Sequence, residues 1–132
     1  MGRTCSVYLE DQEGAVILLK LEEGRFEGKW RPPGGVIKDD DKDPREAAKE
    51  YAQEQLGVDV ELFPYEETIE YKNDTSYVFK GRMVGVSPEP GEGFAELKRV
   101  TYDEILNTDL AGYTEADLKR LPGDFFGRYP AQ

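Results

Sequence analysis

Apolar positions along the chain fall into short alternating or continuous runs, separated by glycine, proline and acidic residues. Thr4 to Leu9 alternates, with Cys5, Val7 and Leu9 on one side, and predicts a half-buried strand. Asp11 to Gly14 is a turn by composition, and the apolar run from Ala15 to Leu21 predicts an interior strand covered on both faces. A charged loop follows. Trp30, read as a packing residue, then opens an extended stretch that Pro33 ends, with Gly34 and Gly35 as a turn open to unusual backbone angles and to close approach of a ligand. From Asp43 the period changes. Asp43 suits an N-cap, Pro44 the first helical position, and Glu46 stands three after the cap; Ala47, Ala48, Ala52 and Leu56 form one apolar stripe, and Gly57 stops the helix.

Beyond the helix, Val58 to Phe63 alternates as a strand whose length Pro64 limits. Thr68–Tyr71 and Tyr77–Val86 predict a strand pair joined by a turn over 72–76, with Tyr71, Tyr77 and Phe79 packing across it. Ser87 to Gly93 is a loop and Phe94 to Val100 a strand. Thr114 to Leu121 predicts a second helix, with Thr114 as its cap and Pro122-Gly123 as its end. Phe125, Phe126 and Tyr129 give an aromatic tail expected to dock on the domain or on a partner. Strands on both sides of one long helix, with a helix near the end, predict an α/β or α+β sandwich.

Composition narrows the chemistry. A length of 132 residues predicts one domain, residues 1–132, and 38% hydrophobic residues suffice for a core. The net charge of −11 argues against nonspecific binding to nucleic acid or to an anionic membrane, yet leaves room for a nucleotide held through a metal ion. The absence of histidine excludes Ser-His and Cys-His nucleophilic catalysis and histidine-ligated zinc. A single cysteine, Cys5, allows no internal disulfide and matches a reducing cytosol, so a cytoplasmic location is expected. No apolar run near the length of a membrane span is present.

On the predicted helix, Glu46, Glu50 and Glu54 are four apart and stack along one side. Such a row is either a solvated face served by Arg45 and Lys49, or a set of oxygen ligands for magnesium, which is commonly held by one or two carboxylates plus substrate phosphates.

The stretch from Trp30 to Val58, with WRPPGG at its start and EAAKEYAQEQLGV at its end, resembles the Nudix box, G-x5-E-x7-R-E-U-x-E-E-x-G-U, where U is a bulky aliphatic residue. Two registers fit. Anchored at Glu46-Ala47-Ala48 and Gly57, the family's Arg-Glu falls on Glu50-Tyr51 and its Glu-Glu on Glu54-Gln55. Tyr51 and Gln55 then stand at ligand positions and face solvent, while Ala52 and Leu56 enter the core. Anchored at Gly35, Asp41 matches the earlier glutamate, Lys49-Glu50 and Gln53-Glu54 match the two pairs, Gln55 falls where the family has a bulky buried residue, and Tyr51 belongs to the core. Packing of the apolar stripe favours the first register.

The resemblance implies a Nudix-like α/β/α sandwich around a mixed β-sheet and a metal-dependent hydrolase that cleaves the pyrophosphate of a nucleoside diphosphate linked to another group. It implies Mg2+ or Mn2+, weakly bound, with Glu50, Glu54 and Glu46 as metal ligands and Glu54 and Glu50 as the catalytic pair. Gly34 and Gly35 would border the ion, and Asp41, Gln55, Glu92 and Glu96 are further candidates. Loss of two box carboxylates leaves a second reading open: a domain that binds a nucleotide, RNA or a protein without hydrolysis. The partners expected are a nucleotide-type small molecule, with nucleic acid and membrane disfavoured, and a second copy or another protein at the aromatic tail.

Overall fold

The computed structural model describes residues 2–38, 42–85, 87–122 and 125–126. The chain forms β1 (Gly2–Glu10), β2 (Val16–Leu21), β3 (Trp30–Arg31), β4 (Gly34–Val36), α1 (Pro44–Leu56), β5 (Asp59–Tyr71), β6 (Asp74–Val84), β7 (Phe94–Val100), α2 (Tyr102–Ile105) and α3 (Gly112–Arg120). The strands make one mixed sheet in the order β3-β2-β1-β6-β5, with β4 paired to β1 and β7 to β2. Only β1 and β6 run parallel among the paired strands, and they lie at the centre of the sheet, from Gly2 opposite Asp74 to Glu10 opposite Arg82.

Alternation along the central strands divides the core in two. Cys5, Val7, Leu9, Ile17, Leu19 and Phe79 face α1, whose Ala47, Ala48, Ala52 and Leu56 are buried against them. Three of those four helix residues are alanines, so the helix lies close on the sheet. Tyr8, Val16, Leu18 and Val78 face the other way, where Ile105 of α2, Leu118 of α3 and Phe125 of the tail cover them. The result is helix, sheet, helix in three layers. β2 contributes to both faces, as an interior strand must, and no described helix is long and apolar enough to cross a membrane.

The caps of α1 follow the sequence. The Asp43 carboxylate accepts from the Arg45 N–H at 3.0 Å, Pro44 opens the helix, and Gly57 closes it with φ of 71°, its N–H donating to the Gln53 carbonyl. Four expectations need correction. Gly34 and Gly35 are not a free turn: with Val36 they form β4, because Thr4, Cys5 and Ser6 of β1 offer a strand edge opposite them. Pro64 does not end its strand. β5 continues through it with a shift of register between Leu62 and Glu66, which its place at the sheet edge permits, since a missing N–H costs nothing there. The β5–β6 turn is Lys72-Asn73 alone, with Lys72 at φ of 56°. Thr114 is not the cap of α3: the helix starts at Gly112, and Thr114 lies inside it, buried, with its hydroxyl unpaired among the described residues.

The tail docks on its own domain as far as it is described. Phe125 is fully buried, and Phe126 stacks on Tyr102 with ring centres 4.7 Å apart. Lys80 of β6, itself fully buried, donates to the Phe125 carbonyl at 2.8 Å and to that of Phe126 at 3.1 Å. Tyr129 lies outside the described residues.

Candidate active site

Two cavities meet at Val36. The smaller, about 300 Å³, lies between α1 and the chain leaving β4. The helix supplies Ala47, Glu50, Tyr51 and Glu54, and the facing wall supplies Val36, Ile37, Lys38 and Lys42. Glu50 and Glu54 are one helical turn apart and both exposed, so both carboxylates reach this cavity. Lys42 pairs with Glu50, whereas Glu54 has no ion-pair partner among the described residues. Glu46, a further turn back, is exposed and does not line the cavity. Among the described residues no three acidic, histidine or cysteine side chains converge as a metal cage.

The other candidates are dispersed. Asp41 lies outside the described residues. Glu92 is exposed on the loop whose Gly91 N–H donates to the Gln55 carbonyl at 2.8 Å, so this loop covers the C-terminal end of α1. Glu96 lies opposite Lys20 and pairs with it at 3.3 Å, on the face of the sheet that carries Trp30 rather than α1. Trp30 is half-buried on the second core, under the Lys98 ammonium 4.3 Å from its ring.

Tyr51 and Gln55 do not face solvent. Gln55 is 9% exposed, and its side chain accepts from the Gly34 N–H at 3.0 Å and donates to the Gly34 carbonyl at 2.9 Å. The Tyr51 hydroxyl donates to the Val36 carbonyl at 2.6 Å, and its ring lies so close to Gly35 that a Cβ there would come within 2.8 Å of it. Burial raises the Tyr51 pKa, with Cys5 and the Glu54 carboxylate adding to the effect, so the phenol stays protonated as a donor. Burial likewise raises the Cys5 thiol and makes it an inert core residue.

The larger cavity, about 530 Å³, opens at the start of β1 and β6 beneath α3. Sequence reasoning missed it, because its walls come from five separated segments. Arg3, Arg31 and Arg120 line it, beside Asp74 and Asp117, in a chain of net charge −11. Tyr71, Tyr113 and Val36, three of the largest exposed apolar side chains, stand at its walls. Arg31 lies over the Tyr113 ring at 5.1 Å and Arg120 over that of Tyr71 at 4.1 Å. Asp117 accepts from the Ser76 hydroxyl at 2.7 Å; burial raises its pKa, against the opposing pull of that bond and of Arg120 and Arg31. No local sequence signal marked it, since Arg3, Arg31 and Arg120 are far apart along the chain.

A carboxylate pair on a capped helix, a glycine strand facing it and a mixed sheet between two helical layers together define a three-layer α/β sandwich domain. The sequence pattern of the NUDIX domain matches residues 2–121, and the chain belongs to the Nudix family. No curated protein sequence matches it. Among solved structures, the fold is similar to that of a NUDIX hydrolase from Nitrosomonas europaea (TM-score 0.79, 20% identity, 98% of this chain and 74% of that one). It is similar also to a MutT NUDIX hydrolase from Burkholderia pseudomallei (0.71, 18%, 92% and 98%) and to a MutT protein from Methanosarcina mazei (0.70, 19%, 98% and 95%). At these identities the likeness is one of fold.

Proposed function

We propose that the chain is a hydrolase of nucleoside diphosphates linked to another group, cleaving the pyrophosphate with the help of a divalent ion. The observation that carries this reading is the cavity shared by Glu50 and Glu54, whose wall residue Val36 also lines a larger cleft of arginines and tyrosines. The donor set suits Mg2+ or Mn2+ arriving with a pyrophosphate, since one or two carboxylates complete a sphere made mostly of phosphate oxygens and water. Glu54, unpaired among the described residues, would be the principal ligand, and Glu50 would join it on release from Lys42. Bound there, the ion supplies charge neutralisation to the phosphates.

The remaining chemistry falls to the chain. Lys38 and Lys42 border the same cavity and would offset charge that builds on the phosphate oxygens. The β4 wall fixes the pyrophosphate against α1, and the larger cleft holds the organic part between Tyr71 and Tyr113. In the reaction, water oxygen bonds to one phosphorus, the bond from that phosphorus to the bridging oxygen breaks, and the bridging oxygen keeps the electron pair. The proton released passes to a carboxylate of the pair or to solvent.

A screen of the purified protein against nucleoside diphosphate derivatives, with magnesium or manganese, tests this reading through release of phosphate products. Glu54→Gln should lower turnover at least about tenfold. If no derivative is consumed, the hydrolase reading fails. A second reading, a domain that binds a nucleotide-type ligand without cleaving it, has one observation in its favour: the side chains at two box positions, Tyr51 and Gln55, are engaged with backbone groups. Calorimetric binding of such a derivative without turnover supports it.

A further inference from the structure

β4 has two edges, and the sheet takes only one. In its antiparallel pairing with β1, the Ile37 N–H donates to the Arg3 carbonyl at 2.8 Å and the Val7 N–H to the Pro33 carbonyl at 3.0 Å. Backbone groups alternate between the two edges of a strand, so those of Gly34 and Val36 point away from β1. Among the described residues no strand lies there. Instead, α1 presents Tyr51 and Gln55.

The spacing of the two elements matches. Residues four apart on a helix are about 6 Å apart along its axis, and residues two apart in a strand about 6.6 Å. Gln55 thus meets Gly34 while Tyr51, one turn earlier, meets Val36. Gly34 offers a donor and an acceptor, and a primary amide is the side chain that answers both at once. A carboxylate could accept from the Gly34 N–H but would set an oxygen against the Gly34 carbonyl. Val36 offers its carbonyl to Tyr51, and the phenol O–H answers it.

We propose that Tyr51 and Gln55 are positioning residues that act as a substitute strand for β4, clamping the wall shared by the two cavities onto α1 without any metal ion. The proposal rests on the reading of this place as the functional site, but adds that its geometry is set before an ion or ligand binds. In the register anchored at Gly57, both positions are ones where the family has ligand carboxylates. Here, restoring an acid at 55 would break the clamp rather than rebuild a metal site.

The test uses the ligand-free protein and needs no turnover, so it can succeed or fail independently of any hydrolase activity. Amide hydrogen exchange is followed by NMR in chelator and again with magnesium, beside manganese affinity from paramagnetic broadening. In the native protein the Gly34 amide should be protected equally in both conditions. Gln55→Leu and Gln55→Glu should each speed its exchange at least tenfold while β2 and β7 amides keep their protection, a local effect that general destabilisation would not give. Gln55→Glu should bind manganese no more tightly than the native protein. Should Gln55→Leu unfold the domain, Tyr51→Phe, which keeps the ring and loses one bond, gives the local readout at Ile37 and Lys38. The proposal is overturned by unchanged local exchange in these variants, by Gly34 protection that appears only with magnesium, or by tenfold tighter manganese binding in Gln55→Glu.

Discussion

Gly34 and Gly35 look alike in the sequence and are constrained for different reasons. Gly34 has φ of 145°, and a Cβ there would collide with the backbone carbonyl of Cys5, which cannot yield without opening the β1–β4 pairing. At Gly35 the obstacle is the Tyr51 ring, a side chain that can move. Gly34→Ala should therefore cost about 3 kcal/mol or more in urea unfolding, and Gly35→Ala about half that while freeing the Tyr51 hydroxyl from Val36. Equal losses at the two positions would mean that the strand, not the tyrosine, yields at Gly35. At this scale the sequence told only part of the story. It marked both glycines as positions of close approach, and did not show that a carbonyl and a phenol of the same chain are groups that approach them. The register favoured by the apolar stripe also placed Gln55 in solvent, since nothing in the order of residues shows that Gly34, 21 positions away, turns two backbone groups toward it.

Elements whose signals are local were legible. The α1 caps and alanine stripe, the interior run of β2 and the limits of β7 all follow from neighbours within a few residues. Those set by distant partners were not. β4 is a strand because β1 is there to pair with it, β5 passes Pro64 because it lies at an edge, and α3 begins at Gly112, two residues before Thr114, which is buried inside it. The docking of the tail was legible from its aromatic residues, but the cation of β6 that holds it was not. Lys80 is enclosed with the carbonyls of Phe125 and Phe126 and lies 5.4 Å from the ring centres of both Tyr102 and Phe125. Lys80→Met keeps the apolar stem and removes the donor, leaving two carbonyls short of a partner. A loss of about 3 kcal/mol is expected, with cleavage by chymotrypsin at Phe125-Phe126 at least tenfold faster; an unchanged cleavage rate would show that the rings alone hold the tail.

For the whole molecule, charge and topology set behaviour that no single element determines. The chain carries 28 acidic against 17 basic residues. Ion pairs such as Lys29–Asp109 and Arg82–Glu61 lie on the surface, where each contributes at most about 1 kcal/mol. Self-repulsion should outweigh them. Raising sodium chloride from about 0.1 M to about 1 M shortens the screening length from about 10 Å to about 3 Å, and the melting temperature should rise by several degrees. A fall would show that the surface pairs stabilise more than the excess charge destabilises.

The parallel pairing of β1 with β6 also dictates an order of events as the chain is made. The β5–β6 hairpin closes over two residues, but Gly2 must wait for Asp74, and Glu10 for Arg82. Closing a loop of 72 residues costs about 4 kcal/mol of chain entropy before any contact repays it. Synthesis proceeds at about 5–20 residues per second. β1, with Val7 and Leu9 destined for the core, is made well before β6 and is therefore without its central neighbour for several seconds. During that interval the edge of β1 that β6 will cover is open to a chaperone or to a second nascent chain.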